Sequence, residues 1–156
     1  MRPSTPITYE QALARAEELC ARAEHSSGEI RHKLYLWKLP TDRHDELIDS
    51  LIDRRFIDDA RFARAYARDK MEYAGWGRRK IAVSLATKGV GRTDIAEALA
   101  ALDNSRYEAK LQSLIAAKRR TMDDQTSYEN RVRLFRFAAA RGFEPDLISK
   151  VIGDLI

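Results

Sequence analysis

An all-α fold follows from three features of this 156-residue chain. Apolar residues recur at i, i+3, i+4 and i+7 along almost its whole length, the spacing that lays one stripe on a helix. Alternating β-branched runs bounded by turn residues, the mark of half-buried strands, are not found. Helix-start signals are dense: Thr8 to Gln11, Ser26 to Glu29 and Thr126 to Glu129 have the spacing of capping boxes. In each, a hydroxyl can accept from a free N–H while the later side chain reaches back.

These signals predict nine helices. The first, 8–24, carries the stripe Leu13, Ala16, Leu19, Cys20, Ala23. Cys20 is the only cysteine, so no internal disulfide can form, and its place on the stripe predicts a buried, inert thiol. The second helix, 27–38, follows the Ser26 box with Ile30 and Leu34 on one side, and the third, 42–54, carries Ile48, Leu51 and Ile52. The fourth, 58–74, begins at Asp58 or Asp59, either of which suits an N-cap. The fifth, 77–88, follows the turn Ala74-Gly75-Trp76-Gly77 and ends at Gly89 behind Lys88. That order suits a left-handed cap with a cation near the negative end of the helix dipole. The sixth, 92–102, and seventh, 104–122, lead to Asp123, Asp124, Gln125 and Thr126, the least structured link and too short to separate domains. The eighth, 127–141, ends at Gly142 behind Arg141 in the same way, and Pro145 fits the first position of the ninth, 145–155.

Taken in threes, the helices recur. The second helices align Ile30, Leu34 and Leu39 with Ile81, Leu85 and Val90 and with Leu134, Ala138 and Phe143. The third helices align Ile48, Leu51 and Ile52 with Ile95, Ala98 and Leu99 and with Leu147, Lys150 and Val151, where Lys150 breaks the match. In the first unit Lys38-Leu39-Pro40 replaces the glycine of the other two, so that connection is expected to turn differently. The prediction is three tandem three-helix repeats, about 8–54, 56–102 and 104–156, after a flexible 1–7, forming an elongated, curved helical array. Tyr9, Tyr35, Trp37, Phe56, Phe62, Tyr66, Tyr73, Tyr107, Tyr128, Phe135, Phe137 and Phe143 recur near helix faces or ends and are expected mostly in the core, and Trp76 is a candidate to cap the packing between units.

Composition narrows the function. No apolar run approaches the roughly 20 residues that span a bilayer, and MRPSTPITYE lacks the apolar segment of a secretory signal, so a cytoplasmic location is expected. Residues 54–88 hold ten cations against four acidic residues, a net +6, while 1–53 hold seven against ten and 89–156 eleven against ten. Such a concentrated cationic stretch attracts polyanions, whether a phosphate backbone or an acidic protein groove.

The stretch Phe56-Ile57-Asp58-Asp59, Phe62-Ala63, Tyr66, Gly75-Trp76-Gly77, Ile81, Leu85, Gly89-Val90 resembles the central repeat of the RecX family, bacterial regulators of RecA recombinase. Ser26, Ser27, Glu29, Ile30, Lys33 and Leu34 resemble the second helix of the family's first repeat, and Arg136, Phe137, Arg141, Gly142 and Phe143 that of its last. The resemblance covers nearly all of 8–156 in the family's order; the missing glycine near Leu39 and the extra residues before Ile48 depart from it. It implies an array of three-helix repeats that lodges in the groove of the RecA filament on single-stranded DNA; a monomer without cofactor is expected. It further implies suppression of ATP hydrolysis, strand exchange and filament growth. Arg61, Arg64 and Arg68 follow i, i+3, i+7 and share one helical face, while Arg78, Arg79 and Lys80 open the next helix. With Lys70, Lys88, Arg136 and Arg141 these are the candidate contacts for the filament or its phosphates, the arginines being able to pair bidentately.

Two other classes compete. Residues 78–88, a turn at 89–92 and 93–102 have the proportions of a helix-turn-helix, which would contact single- or double-stranded DNA directly. The reading helix TDIAEALAAL offers no Arg, Lys, Asn or Gln to base edges, so such binding would be sequence-independent. An enzyme lacks support: His25, His32 and His44 have no metal-ligand spacing, the carboxylate pairs Glu17/Glu18 and Asp58/Asp59 diverge on a helix, and no glycine loop cradles a phosphate.

Overall fold

The computed structural model describes residues 5–124 and 127–155. Among them are nine α-helices and no strand: α1 (Tyr9–Arg22), α2 (Ser27–Leu36), α3 (His44–Asp53), α4 (Asp59–Asp69), α5 (Arg78–Thr87), α6 (Arg92–Ala100), α7 (Asn104–Arg119), α8 (Tyr128–Ala140) and α9 (Pro145–Leu155). A 3-10 turn, Thr41–Arg43, leads into α3, and α4 runs on through a π-helical turn, Lys70–Ala74. Thr8 and Ser26 each close a full capping box, on Gln11 and Glu29. Thr126 lies outside the described residues; Ser127 Oγ caps α8, accepting from the Asn130 N–H at 3.1 Å. Asp58 caps α4, accepting from the Arg61 N–H at 3.0 Å. Asp59 is turned instead to Ser27, accepting its N–H at 2.7 Å and its hydroxyl at 2.5 Å.

The chain forms two compact units, residues 1–63 with 85–95, and residues 64–84 with 96–156. In the first, α1, α2 and α3 bury Ala12, Ala16, Ile30, Leu34, Leu47, Ile48 and Leu51 in one cluster with Leu39 and Ile57. His44 is buried beside it, its Nε2 2.8 Å from the Leu39 carbonyl oxygen. Cys20 is half-buried rather than buried, yet desolvation, aided by Glu24 and opposed by Arg61, pushes its thiol up to about 11. In the second unit α7, α8 and α9 pack together around Tyr107, Leu111, Ile115, Leu134, Ala138, Phe143, Ile148 and Val151. Phe62 is buried too, whereas Tyr35, Tyr73 and Tyr128 stand in solvent.

Two readings of the repeat need correction. Leu47, Ile48 and Leu51 are buried in α3, Ala98 in α6 and Leu102 just beyond its end, and Val151 and Ile152 in α9. The third helices therefore align as 47, 48, 51 with 98, 99, 102 and with 151, 152, 155, the same offsets as the second helices. Lys150 then falls on the solvent side, paired with Glu108 at 2.9 Å, and the mismatch disappears. The first connection also turns like the others: Lys38 has φ 63, Gly89 φ 80 and Gly142 φ 93. In each the next residue's N–H returns five positions, Leu39 to Leu34 O, Val90 to Leu85 O and Phe143 to Ala138 O.

Crowding, not turn type, separates Lys38 from the glycines. A Cβ on Gly89 would lie 2.7 Å from the Gly28 Cα, and one on Gly142 2.4 Å from the Lys80 nitrogen. Each glycine receives the N-terminal turn of another helix, α2 in the first unit and α5 in the second. Helix N-termini have unspent N–H donors and C-termini unspent carbonyls, so the two ends complement one another. In the first unit the fully buried Ser26 donates its hydroxyl to Lys88 O at 2.6 Å; in the second, the Gly77 N–H reaches Arg141 O at 2.7 Å and the Arg79 N–H Gly142 O at 2.9 Å. Lys38 is exposed, with room for its side chain.

Candidate polyanion-binding face

The second unit holds sixteen Lys and Arg against eleven Asp and Glu, a net +5, and the first twelve against thirteen, a net −1. Six cations of the second unit come from residues 64–84, and the fold uses them unequally. Arg78 is spent on structure: its guanidinium lies 3.9 Å from the Tyr107 ring centroid, pairs with Glu144 at 3.1 Å and donates to Asn104 at 2.8 Å. Its N–H donates to the Tyr107 hydroxyl at 2.9 Å, and that hydroxyl donates to Glu144. With the N–H groups of Gly77, Arg78 and Arg79 all engaged, the start of α5 offers few donors to an anion. The same lock sets the direction in which Arg79 and Lys80 leave the helix.

Lys70 and Lys80 converge on Trp76, their Nζ atoms 4.7 and 4.6 Å from the ring centroid. The π-helical turn ends at Gly75, φ 68, and the Trp76 N–H donates to Lys70 O at 3.0 Å, which holds the indole beside the Lys70 stem. Lys70 also lies 5.4 Å from the Tyr66 ring. Attraction to the ring quadrupole holds each ammonium group beside the indole but uses none of its N–H donors.

Arg64 and Arg68, one turn apart on α4, are exposed and line a cleft of ≈ 230 Å³ floored by Met71, Ala98 and Leu102. Neither they nor the exposed Arg79 and Arg136 make an ion pair or side-chain hydrogen bond among the described residues. Arg106, which the sequence did not single out, lines the same cleft and pairs with Glu72 at 3.2 Å. Its position on another helix hid it. The other candidates are engaged: Arg61 with Glu24 at 2.9 Å, Lys88 with Glu29 at 3.5 Å, and Arg141 over Phe137 at 4.8 Å, donating to Ala74 O at 3.4 Å. No group of three His, Cys, Asp or Glu side chains among the described residues could hold a metal, and no described helix is long and apolar enough to cross a membrane.

An all-helical chain of recurring three-helix units defines a helical-repeat protein, here with its excess positive charge in the second compact unit. Residues 58–99 match the family pattern described as RecX, second three-helix domain, and residues 106–152 that of its third. Regulatory protein RecX of Mycobacterium ulcerans (strain Agy99) is 31% identical over 154 residues, covering 96% of this chain and 88% of its own length. Its counterpart in Clostridium botulinum (strain Eklund 17B / Type B) is 32% identical over 132 residues, 82% and 60% of the two lengths. The crystal structure of RecX from Lactobacillus salivarius superposes with a TM-score of 0.83 at 25% identity, covering 95% of this chain and 97% of that one. The chain belongs to the RecX family of regulatory proteins.

Proposed function

We propose that this chain regulates RecA recombinase by binding in the groove of the RecA filament on single-stranded DNA, lowering its ATP hydrolysis, strand exchange and growth. Family membership supports the regulatory role. The contact site rests on one observation: Arg64, Arg68, Lys70, Arg79 and Lys80, all in the +5 unit, have no carboxylate partner among the described residues. Charges left unpaired by the fold are available to the acidic side chains of a filament and to the phosphates it carries. Arg78 and Arg141 hold the framework of that unit, Arg61 and Lys88 are paired within the other, and Arg136 lies in a separate cleft.

The test is RecA ATP hydrolysis on single-stranded DNA, with and without this protein and its Arg64→Glu/Arg68→Glu/Arg79→Glu variant. The parent lowers the rate; the variant, with an unchanged helical spectrum, needs at least about tenfold more protein for the same effect, as loss of steering and pairing charges entails. Retained inhibition by the variant would show these cations to be incidental. Equal affinity for bare DNA and for the filament across a salt series would favour direct, sequence-independent DNA binding instead.

A further inference from the structure

A second cationic cleft, of ≈ 570 Å³, lies between the end of α7 and α8. Arg133 and Arg136 stand three residues apart on α8, both exposed and without an ion pair or side-chain hydrogen bond among the described residues. Lys118 faces them from the last turn of α7, and Asp123 is the one acidic residue among the described lining, so there three positive charges meet one negative. Met122 and Phe137 are half-buried and make the apolar part of the lining. Phe137 is already engaged by two cations, with Lys118 Nζ 5.6 Å and the Arg141 guanidinium 4.8 Å from its centroid. A nucleobase would have to displace them to stack there. A bare phosphodiester backbone, for its part, gains nothing from the apolar surface.

We propose that this cleft binds an acidic peptide segment of a protein partner, one that carries an apolar side chain on the same face as its carboxylates. Residues three apart on a helix face have Cβ atoms about 5–6 Å apart. Alternate side chains of an extended segment are about 6.7 Å apart, close enough for Arg133 and Arg136 to take one carboxylate each. Lys118 supplies a third charge, and an apolar side chain two residues further along, on the same face of the segment as the carboxylates, packs on Met122. The cleft uses none of the five cations assigned to the RecA filament and stands independently of that assignment.

Fluorescence anisotropy of the full chain tests it with three labelled probes: a peptide repeating Glu-Ser-Glu-Ser-Leu-Ser, which puts Glu and Leu on one extended face, the same peptide with Ser for Leu, and an oligothymidylate. The first probe binds most tightly, and Arg133→Glu/Arg136→Glu weakens it by about tenfold or more, the usual scale for removing a close charge pair. The charge-matched Lys33→Glu/Arg92→Glu, on exposed positions of the other unit, stays within about twofold, as screened surface charges should. Equal loss in both variants, no binding of the first probe, or no preference for it over the Ser peptide overturns the proposal. So does tighter binding of the oligothymidylate that Arg133→Glu/Arg136→Glu abolishes, which would make the cleft a phosphodiester site.

Discussion

Replacing Gly77 with alanine drives a methyl group into the joint where α5 meets the end of α8. A Cβ there lies 2.4 Å from the Gly142 carbonyl carbon and the Phe143 nitrogen, and 2.5 Å from the Gly142 oxygen. Comfortable separation of such atoms is about 3.5 Å or more. All three neighbours are backbone atoms, so no side-chain rotation relieves the clash and the two helix ends must part. Parting them costs the Gly77 N–H to Arg141 O bond at 2.7 Å and the Arg79 N–H to Gly142 O bond at 2.9 Å. Two such bonds contribute about 1 kcal/mol each, and the overpacking costs about 1–3 kcal/mol. Stiffening of the unfolded chain returns up to about 1 kcal/mol, leaving a net loss of about 2–5 kcal/mol. Urea denaturation followed by far-ultraviolet circular dichroism measures it, provided the slope against denaturant stays constant. Gly153→Ala is the companion: nothing lies within 4 Å of its Cβ in α9, so alanine should stabilise by up to about 1 kcal/mol. A Gly77→Ala protein within about 0.5 kcal/mol of the parent would refute the account of the joint.

Tyr107→Phe removes the hydroxyl that joins the Arg78 N–H to Glu144 and should cost about 1–3 kcal/mol in the same assay, the range for stranding buried polar groups. Burial first, and then the hydrogen bond to Glu144, raise the folded Tyr107 phenol well above its ordinary value of 10.0. Below that pH the phenol is protonated in both states; as pH rises past about 10 the unfolded phenol ionises first, so stability falls with rising pH. The fall should be shallower in Tyr107→Phe, and identical slopes would deny the shift. Cys20, held at about 11 against 9.0 unperturbed, carries at pH 8 roughly a hundredth of the thiolate. Its alkylation should be about a hundredfold slower in the folded protein than in urea, as the thiolate fractions require; comparable rates would contradict the burial seen at α1.

Much of this fold was legible because its signals are local. Hydrogen-bonding side chains one turn apart mark the starts of α1 and α2, Gly89 and Gly142 the ends of α5 and α8, and Pro145 the start of α9. The register of the third helices is hard to read because α6 buries only the small Ala98, and Ile52 looks like a core residue although it is 45% exposed. Lys38 was misread for a related reason. A left-handed residue need not be glycine; glycine is obligatory where a second helix presses on that residue, and a pressing neighbour leaves no trace in adjacent sequence. The candidate face was legible as a concentration of charge but not as a set of contacts. Arg78 and Arg79 are neighbours in sequence, yet one is locked to Tyr107, Glu144 and Asn104 and the other is left to solvent.

By itself, then, the sequence determined the all-α class, the number and approximate bounds of the helices, their recurrence in threes and the excess of positive charge. Each of these depends on spacing within a few residues, where hydrogen bonding and side-chain periodicity act. Only the tertiary structure decided which cations remain unpaired, that Lys70 and Lys80 converge on Trp76, and that α7 and α8 enclose a separate cleft. Those outcomes depend on which side chains distant parts of the chain bring within a few ångströms, where Coulombic pairing and steric exclusion take effect.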